Sequence, residues 1–228
     1  MIGLSSLTTL RKKAQSGFTM IELLIVIAIL GILATAVLSA INPVEQINRG
    51  RDTGTRSDAE QLISAIDRYN AFKGFFPWVA DASVTTLKLE DPNNIGSPVQ
   101  VDIAGPLVTV DDGAGGTVAC HFLNRVSSAD ALSGSACPSP EGTQELKSTF
   151  VSRITSAKSR PLFLFNRGQQ GDSTYACFIP QSQAFKTEAQ ARCGTAGAGL
   201  PSDLIGVKDF LCDDTANAGT GEYYICLP

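Results

Sequence analysis

Residues 17–41 form an apolar segment that contains a single ionisable side chain, that of Glu22. From Leu23 to Ile41 the sequence holds no charge, and a helix of that length spans roughly 28 Å, close to the hydrocarbon thickness of a bilayer. An ionisable group at membrane depth costs at least ~2.5 kcal/mol on insertion scales, so it usually has a function. The segment therefore predicts a membrane-spanning helix in which Glu22 is the leading candidate functional residue.

The residues before this segment indicate its orientation. In residues 1–17 the only charges are those of Arg11, Lys12 and Lys13, as expected for a segment retained on the cytoplasmic side. A cleaved secretory signal, with Ala34-Thr35-Ala36 or Leu38-Ser39-Ala40 as the cleavage site, is one alternative, and an uncleaved signal anchor is another. Neither alternative explains the ionisable Glu22 near the start of the apolar segment. The segment is also longer than the usual 7–15 apolar residues of a secretory signal.

The sequence Gly17-Phe18-Thr19-Met20-Ile21-Glu22, followed by a Leu/Ile/Val run, resembles the class III leader of type IV pilins and of type II secretion pseudopilins. The resemblance covers about 30 residues. It implies cleavage by prepilin peptidase between Gly17 and Phe18, followed by N-methylation of Phe18. Glu22 then becomes the fifth residue, which is expected to pair with the Phe18 amine of a neighbouring subunit and to fix the axial register.

The same resemblance implies the partners and the location. The expected partners are further copies of the chain in a helical homopolymer, prepilin peptidase, an assembly ATPase and an inner-membrane platform. The subunit is expected in the cytoplasmic membrane first and in an extracellular filament afterwards. We expect a leader at 1–17, an apolar transmembrane and assembly helix at 18–41, an amphipathic continuation at 42–74 and a disulfide-bonded globular head at 75–228.

Two positions are expected to interrupt the long helix, namely Gly31 and Pro43. Pilin resemblance suggests unwinding there during assembly, whereas Asn42-Pro43 could equally mark the end of the membrane span. Beyond this point helical spacing returns at Leu62, Ile66 and Tyr69, with Ala59 and Ile63 beside them, and this face is expected to pack on the head. Gly74 followed by Pro77 predicts the end of the helix.

The remainder predicts an α+β fold, in which the long helix packs on an antiparallel sheet. Candidate strands, rich in β-branched and aromatic residues, are 98–103, 106–110, 117–123, 161–166, 174–179 and 222–227, and a helix is expected within 143–156. Residues 174–179 and 222–227 are similar enough to be neighbouring strands. Four aromatic side chains are expected in the core at the junction of helix and head: Phe72, Phe75, Phe76 and Trp78.

All six cysteines lie in the predicted head, which favours disulfides in an exported chain. Six cysteines allow 15 connectivities, and spacing does not select among them. Pairing of sequence neighbours is the prediction: Cys120–Cys137, Cys177–Cys193 and Cys212–Cys226. The last pair resembles the disulfide of the C-terminal region of type IV pilins.

Evidence for other chemistry is sparse. The leader holds three of the 18 basic residues and none of the 22 acidic ones, so the chain after Gly17 has a formal charge of −7 and no general footprint for nucleic acid. His121, the single histidine, is expected to be structural, since no catalytic triad surrounds it. A C-terminal loop could offer oxygen ligands to calcium, but a solvated acidic loop is favoured; its candidates are Asp213, Asp214, Asn217 and Glu222.

These patterns favour a structural, non-enzymatic subunit of a type IV pilus-like filament. A type II secretion pseudopilin is the first alternative, and a minor pilin with a role in adhesion or DNA uptake is the second. A membrane-tethered enzyme would require a catalytic constellation that the sequence does not offer.

Overall fold

The computed structural model describes residues 17–40, 42–84, 88–90, 97–111, 114–128, 131–132, 137, 143–157, 159–169, 171–194, 197–212 and 223–228. The chain divides into two compact units, Met1–Pro43 and Val44–Pro228. Residues 1–16 of the predicted leader and all four candidate calcium ligands lie outside the described residues.

Helix α1, Met20–Ala40, is the only regular element of the first unit that the structure describes. Its 20-residue stretch Met20–Ser39 is long and apolar enough to cross a membrane, and none of it is buried within the protein. The helix passes through Gly31 without interruption, so the break predicted there is wrong for the isolated subunit. A single glycine costs a helix only about 1 kcal/mol, too little to break one in such a favourable sequence.

Helix α2 spans Pro43–Lys73, and the residue before it, Asn42, is not helical. Proline disfavours helical geometry at the preceding residue but suits the first turn of a helix, which explains why Asn42 is not helical and α2 starts at Pro43. The break predicted at Pro43 is thus present. At the other end Gly74 has φ = 81°, and its N–H donates to the Asn70 carbonyl oxygen at 2.8 Å, as the predicted glycine cap requires.

The head contains an antiparallel four-stranded sheet and a separate two-stranded hairpin. The strands are β1 (Val99–Val101), β2 (Leu107–Asp111), β3 (Thr117–His121), β4 (Leu162–Phe165), β5 (Tyr175–Phe178) and β6 (Ile225–Leu227). The sheet order is β1-β4-β5-β6, and β2 pairs with β3. The α+β architecture is as predicted: five candidate strands are present in shortened form, the one predicted at 106–110 is shifted by one residue, and β5 is paired to β6.

The strand predicted at 117–123 ends early because a helix starts within it. His121 is the N-cap of helix α3, Phe122–Val126: its ring nitrogen Nδ1 accepts the Leu123 N–H at 3.1 Å. The helix expected within 143–156 is α4, Ser148–Ile154. Two further helices were not predicted, α5 (Gln183–Cys193) and α6 (Lys208–Cys212), and a short 3-10 turn, Ile205–Val207, precedes α6.

Both faces of the four-stranded sheet are covered. One face joins the buried side of α2 in the main core, where Leu62 and Ile66 share a cluster with Leu164 and Phe178. The predicted face of α2 is therefore confirmed. The opposite face, which includes Tyr175 and Tyr224, packs with residues of the 200–211 segment. Burial on both faces explains why these strands read as apolar runs rather than as alternating sequences.

Three of the four predicted core aromatics pack against the main core, namely Phe75, Phe76 and Trp78. Phe76 and Trp78 stack with ring centroids 4.6 Å apart. The prediction for Phe72 is wrong, since its side chain is 78% exposed. At 100° per residue Phe72 lies about 20° from the buried Ala65, at the edge of the buried stripe of α2, and its side chain is left uncovered near the end of the helix.

All six cysteines form disulfides, but only one predicted pair is correct. Cys120 is joined to Cys137, whereas the other bonds are Cys177–Cys226 and Cys193–Cys212. The predicted pairs Cys177–Cys193 and Cys212–Cys226 are wrong because sequence proximity did not determine spatial proximity. Cys177 and Cys226 lie directly opposite each other on the paired strands β5 and β6.

Candidate processing and assembly site

The residues around the expected cleavage point lie before the start of α1. Gly17, Phe18 and Thr19 are not helical, and all three are exposed. The Gly17–Phe18 peptide bond is therefore accessible in this chain. Apart from the two neighbouring residues, no atom in the described part of the chain lies within 4 Å of the position that a Cβ would take at Gly17, so packing among these residues does not require glycine there.

Glu22 lies in the first turn of α1, and its backbone N–H donates to the Thr19 hydroxyl at 3.2 Å. This bond satisfies one of the amide groups that the start of a helix leaves without a partner. The spacing Thr19-x-x-Glu22 is that of a capping box, and a carboxylate near a helix N-terminus also interacts favourably with the helix dipole. Thr19 was not singled out from the sequence, although this spacing is a recognisable signal.

Phe18 and Glu22 are thus placed at the same end of the apolar helix. Cleavage after Gly17 would put a cationic amine on Phe18, four residues before the carboxylate. The pairing between subunits stays a prediction.

The surface of α1 requires a covering. Its large apolar side chains are exposed along the whole helix, from Ile21 and Leu23 to Val37 and Leu38. Exposed apolar area of this extent in a protein marks a membrane or protein contact. The helix must therefore be surrounded by lipid or by other apolar helices.

A buried carboxylate connects α2 to the head, and sequence analysis missed it. Asp52 is fully buried; its side chain accepts the backbone N–H groups of Gln181 and Ser182 and is paired with the Arg160 guanidinium. Burial raises the pKa of Asp52, but hydrogen bonds from Ser182, Gln181 and Arg160 outweigh it, and the net pKa is lowered. The carboxylate therefore stays ionised at neutral pH.

A second carboxylate of α2 contacts the same part of the head. Glu45 Oε1 accepts the backbone N–H of Gln183, the first residue of α5, at 2.8 Å. Two acidic side chains of one helix thus satisfy amides at the N-terminus of another, where negative charge is favoured. These contacts hold the first turns of α2 on the head.

The segment that follows α2 is held by a buried arginine. Arg125 is 1% exposed and donates to the carbonyl oxygens of Pro77, Val79 and Ala80, while its guanidinium also lies 5.2 Å from the centroid of the Phe75 ring. Several carbonyl acceptors compensate the burial of this charge. Its role is structural.

His121 is also structural. Its Nδ1 accepts the Leu123 N–H, so Nε2 carries the proton and donates to the Asp102 carbonyl oxygen at 2.9 Å. Burial lowers the pKa of this histidine and outweighs the opposing bonds to Asp102 and Gly105. Both ring nitrogens are occupied, as a structural role requires.

Within the described ranges no group of three His, Cys, Asp or Glu side chains is arranged to hold a metal ion. One open pocket lies beside α2, lined by the polar residues Ser57, Glu60, Gln61, Ser64, Arg68 and Glu145 and by the apolar Leu146. Arg68 and Glu145 form an ion pair at 2.6 Å within it. This lining offers no nucleophile activated by an adjacent base.

An apolar helix long enough to span a membrane thus precedes, along the sequence, a disulfide-bonded head with an antiparallel sheet. Residues 12–38 match the family described as the prokaryotic N-terminal methylation motif, the class III prepilin leader of type IV pilins and pseudopilins. This family is a structural type and not an enzyme. The chain has no significant match among curated proteins or among solved structures.

Proposed function

We propose that this protein is a structural subunit of a type IV pilus-like filament. Prepilin peptidase cleaves it after Gly17, the new Phe18 amine is methylated, and subunits assemble through α1. An assembly ATPase and an inner-membrane platform extract the subunit from the cytoplasmic membrane into a surface filament. The observation that carries the proposal is the methylation motif on a helix whose apolar surface is exposed among the residues that the structure describes.

Assembly exchanges one apolar environment of α1 for another. Lipid tails are as apolar as neighbouring Leu and Ile side chains, so the exchange has little hydrophobic driving force. A charge pair between Glu22 and the Phe18 amine of the next subunit would fix the axial register of the two helices. Such a pair contributes more to specificity than to stability, because desolvation offsets much of the Coulomb attraction.

A type II secretion pseudopilin remains the second candidate, since it shares the same leader. Three disulfides fit the oxidising periplasm as well as the outside of the cell, so they agree with both candidates. A minor pilin at the filament tip shares these features and differs in abundance.

Substitution of Glu22 tests the role in assembly. Glu22→Ala should leave the protein processed and inserted in the membrane, with filament yield reduced at least about tenfold, because the substitution removes the charge that pairs between subunits while the Thr19 hydroxyl still caps α1. Glu60→Ala is the control, an exposed glutamate of α2 in a surface pair with Arg56. Yield is measured by immunoblot of sheared filaments against the processed cellular pool. Normal yield from Glu22→Ala would refute the register role.

A further inference from the structure

The short helix α3 holds two other segments of the head in place. All five of its residues, Phe122–Val126, are buried. The Arg125 guanidinium donates to three carbonyl oxygens within residues 77–80, the segment that follows α2. The Leu146 N–H donates to the Val126 carbonyl oxygen at 2.9 Å. Movement of this one helix would therefore loosen the head at both segments.

The start of α3 depends on a side chain that can bind a proton. His121 is fully buried, and its Nδ1 accepts the Leu123 N–H at 3.1 Å while Nε2 contacts the Asp102 carbonyl oxygen at 2.9 Å. A protonated imidazole has two N–H donors and no acceptor. Protonation of His121 would therefore leave the Leu123 amide without its partner in the interior of the head, which is a costly state.

The charged side chains around His121 do not compensate a charge on its ring. Among the described residues they are Asp102 in the loop after β1, Asp111 at the far end of β2 and Arg125 in α3. The Asp102 carboxylate accepts the Ala104 N–H at 2.8 Å. Asp102 favours the protonated ring, but burial disfavours it more strongly and lowers the pKa of His121 from 6.5. The native head therefore binds this proton more weakly than a head in which the ring is exposed.

We propose that His121 is an acid-sensitive latch on α3. The neutral ring caps the helix and keeps the head closed, whereas the protonated ring releases the first turn of α3 and with it the hold of Arg125 on residues 77–80. His121 is the single histidine of the chain, so no other imidazole shares this titration. The inference concerns the head alone and is independent of filament assembly.

The open head is favoured as the pH falls. The pKa of His121 lies below 6.5 in the closed head, so the ratio of open to closed heads is constant above about pH 6.5. Between this value and the closed-state pKa the ratio rises up to about tenfold for each unit of pH, since opening takes up one proton. Asp52, whose pKa is lowered from 3.8, stays ionised over this interval.

Hydrogen exchange of the Leu123 amide tests the proposal on the full chain in detergent. After correction for intrinsic exchange rates, the protection of this amide measures the ratio of closed to open heads. Protection should be constant from about pH 8 to 6.5 and then fall up to about tenfold per unit. It should also stay about tenfold or more below the protection of the Ala176 amide in the central strand β5. Equal protection at both amides would mean that only unfolding of the whole head exposes His121, which overturns the latch.

Two variants identify the group that titrates. His121→Asn keeps a side-chain oxygen that can cap α3 but binds no proton, so the protection of Leu123 should no longer depend on pH. Asp67→Asn is the matched control, because partial burial raises the pKa of this carboxyl group of α2 towards the same interval. This variant should behave as the native chain does. A pH dependence that survives His121→Asn, or that disappears in Asp67→Asn, would overturn the assignment to His121.

Nuclear magnetic resonance of the native chain, labelled with ¹⁵N only in histidine, provides a test that needs no variant to fold. The single imidazole should carry its proton on Nε2 at about pH 8, and its titration midpoint should lie below 6.5. A proton on Nδ1 instead would show that the ring does not accept the Leu123 N–H, and the proposal would be wrong.

Discussion

At the scale of single residues, acidic side chains in unusual environments have different roles in the two units. Glu22 stands at the start of an exposed apolar helix, and its N–H bond to the Thr19 hydroxyl anchors the first turn. Asp52 is buried in the head and is compensated within the same chain. The first carboxylate is thus available to a neighbour, whereas the second is committed to the subunit's own stability.

Removal of the Asp52 charge should destabilise the head strongly. Asp52→Asn leaves Arg160 and two backbone amides without their ionised acceptor, and breaking a buried pair costs about 3–5 kcal/mol. Asp58→Asn on the same helix removes a partly exposed pair with Arg153 and should cost no more than about 1 kcal/mol. Denaturant unfolding of the full chain in detergent, followed by Trp78 fluorescence, measures the loss of unfolding free energy in each variant. Equal losses in Asp52→Asn and Asp58→Asn would contradict the role of Asp52 in stabilising the head.

The same carboxylate gives a pH dependence of defined sign. Since the pKa of Asp52 is lowered from 3.8 in the folded protein, its contribution to stability is complete above that value and is lost as the pH falls through the folded-state pKa. The difference in unfolding free energy between the native chain and Asp52→Asn should therefore shrink below about pH 4. A difference that persists unchanged at pH 2 would exclude an electrostatic origin.

At the scale of elements, the C-terminal strand depends on a covalent bond. Strand β6 has three residues and is joined to β5 through Cys177–Cys226, a bond between residues 49 apart in sequence. The Arg192 guanidinium donates to the Cys226 carbonyl oxygen at 3.0 Å, which covers part of the strand. So short a strand gains much of its persistence from the loop that the disulfide closes.

Loss of this disulfide should destabilise the head more than loss of Cys120–Cys137. Chain entropy gives about 4 kcal/mol for a loop of 49 residues and about 3 kcal/mol for one of 17. Cys177→Ala with Cys226→Ala should therefore lower the unfolding free energy more than Cys120→Ala with Cys137→Ala, in the same detergent assay. Non-reducing peptide mapping provides the direct check, and a Cys177–Cys193 peptide would contradict the structure.

Calcium at the C-terminal acidic loop can be tested separately. The loop is expected to be solvated, so removal of divalent cations with a chelator should leave the thermal unfolding midpoint unchanged. Added calcium should have no effect either, with magnesium as the ionic control. A rise of several degrees with calcium alone would show that these oxygens form a site.

At the scale of the whole molecule, sequence patterns predicted those features that depend on residues close together in the sequence. The apolar run at 17–41, the spacing of Leu62 and Ile66 and the cap at Gly74 each report on neighbours within one element. The six strands were located for the same reason. Helix α5 was missed, although its N-cap Ser182 and the glycine that follows Cys193 are recognisable boundary signals.

Features that depend on chain topology could not be predicted in this way. Asp52 looks like any polar residue of α2, since its partners lie more than 100 positions later. The disulfide error has the same origin. The similarity of the two segments that became β5 and β6 already suggested neighbouring strands, and this would have placed Cys177 opposite Cys226 had it been given more weight than sequence proximity.

The central claim is that this chain is a processed subunit of an external filament. Mass spectrometry of material sheared from the cell surface tests it most directly, through a search for the peptide that begins at N-methylated Phe18. The account predicts that this N-terminus is abundant in the sheared fraction. Its restriction to the membrane fraction would contradict the filament assignment and favour a pseudopilin, and an N-terminus at Val37 or Ile41 would contradict the processing site itself.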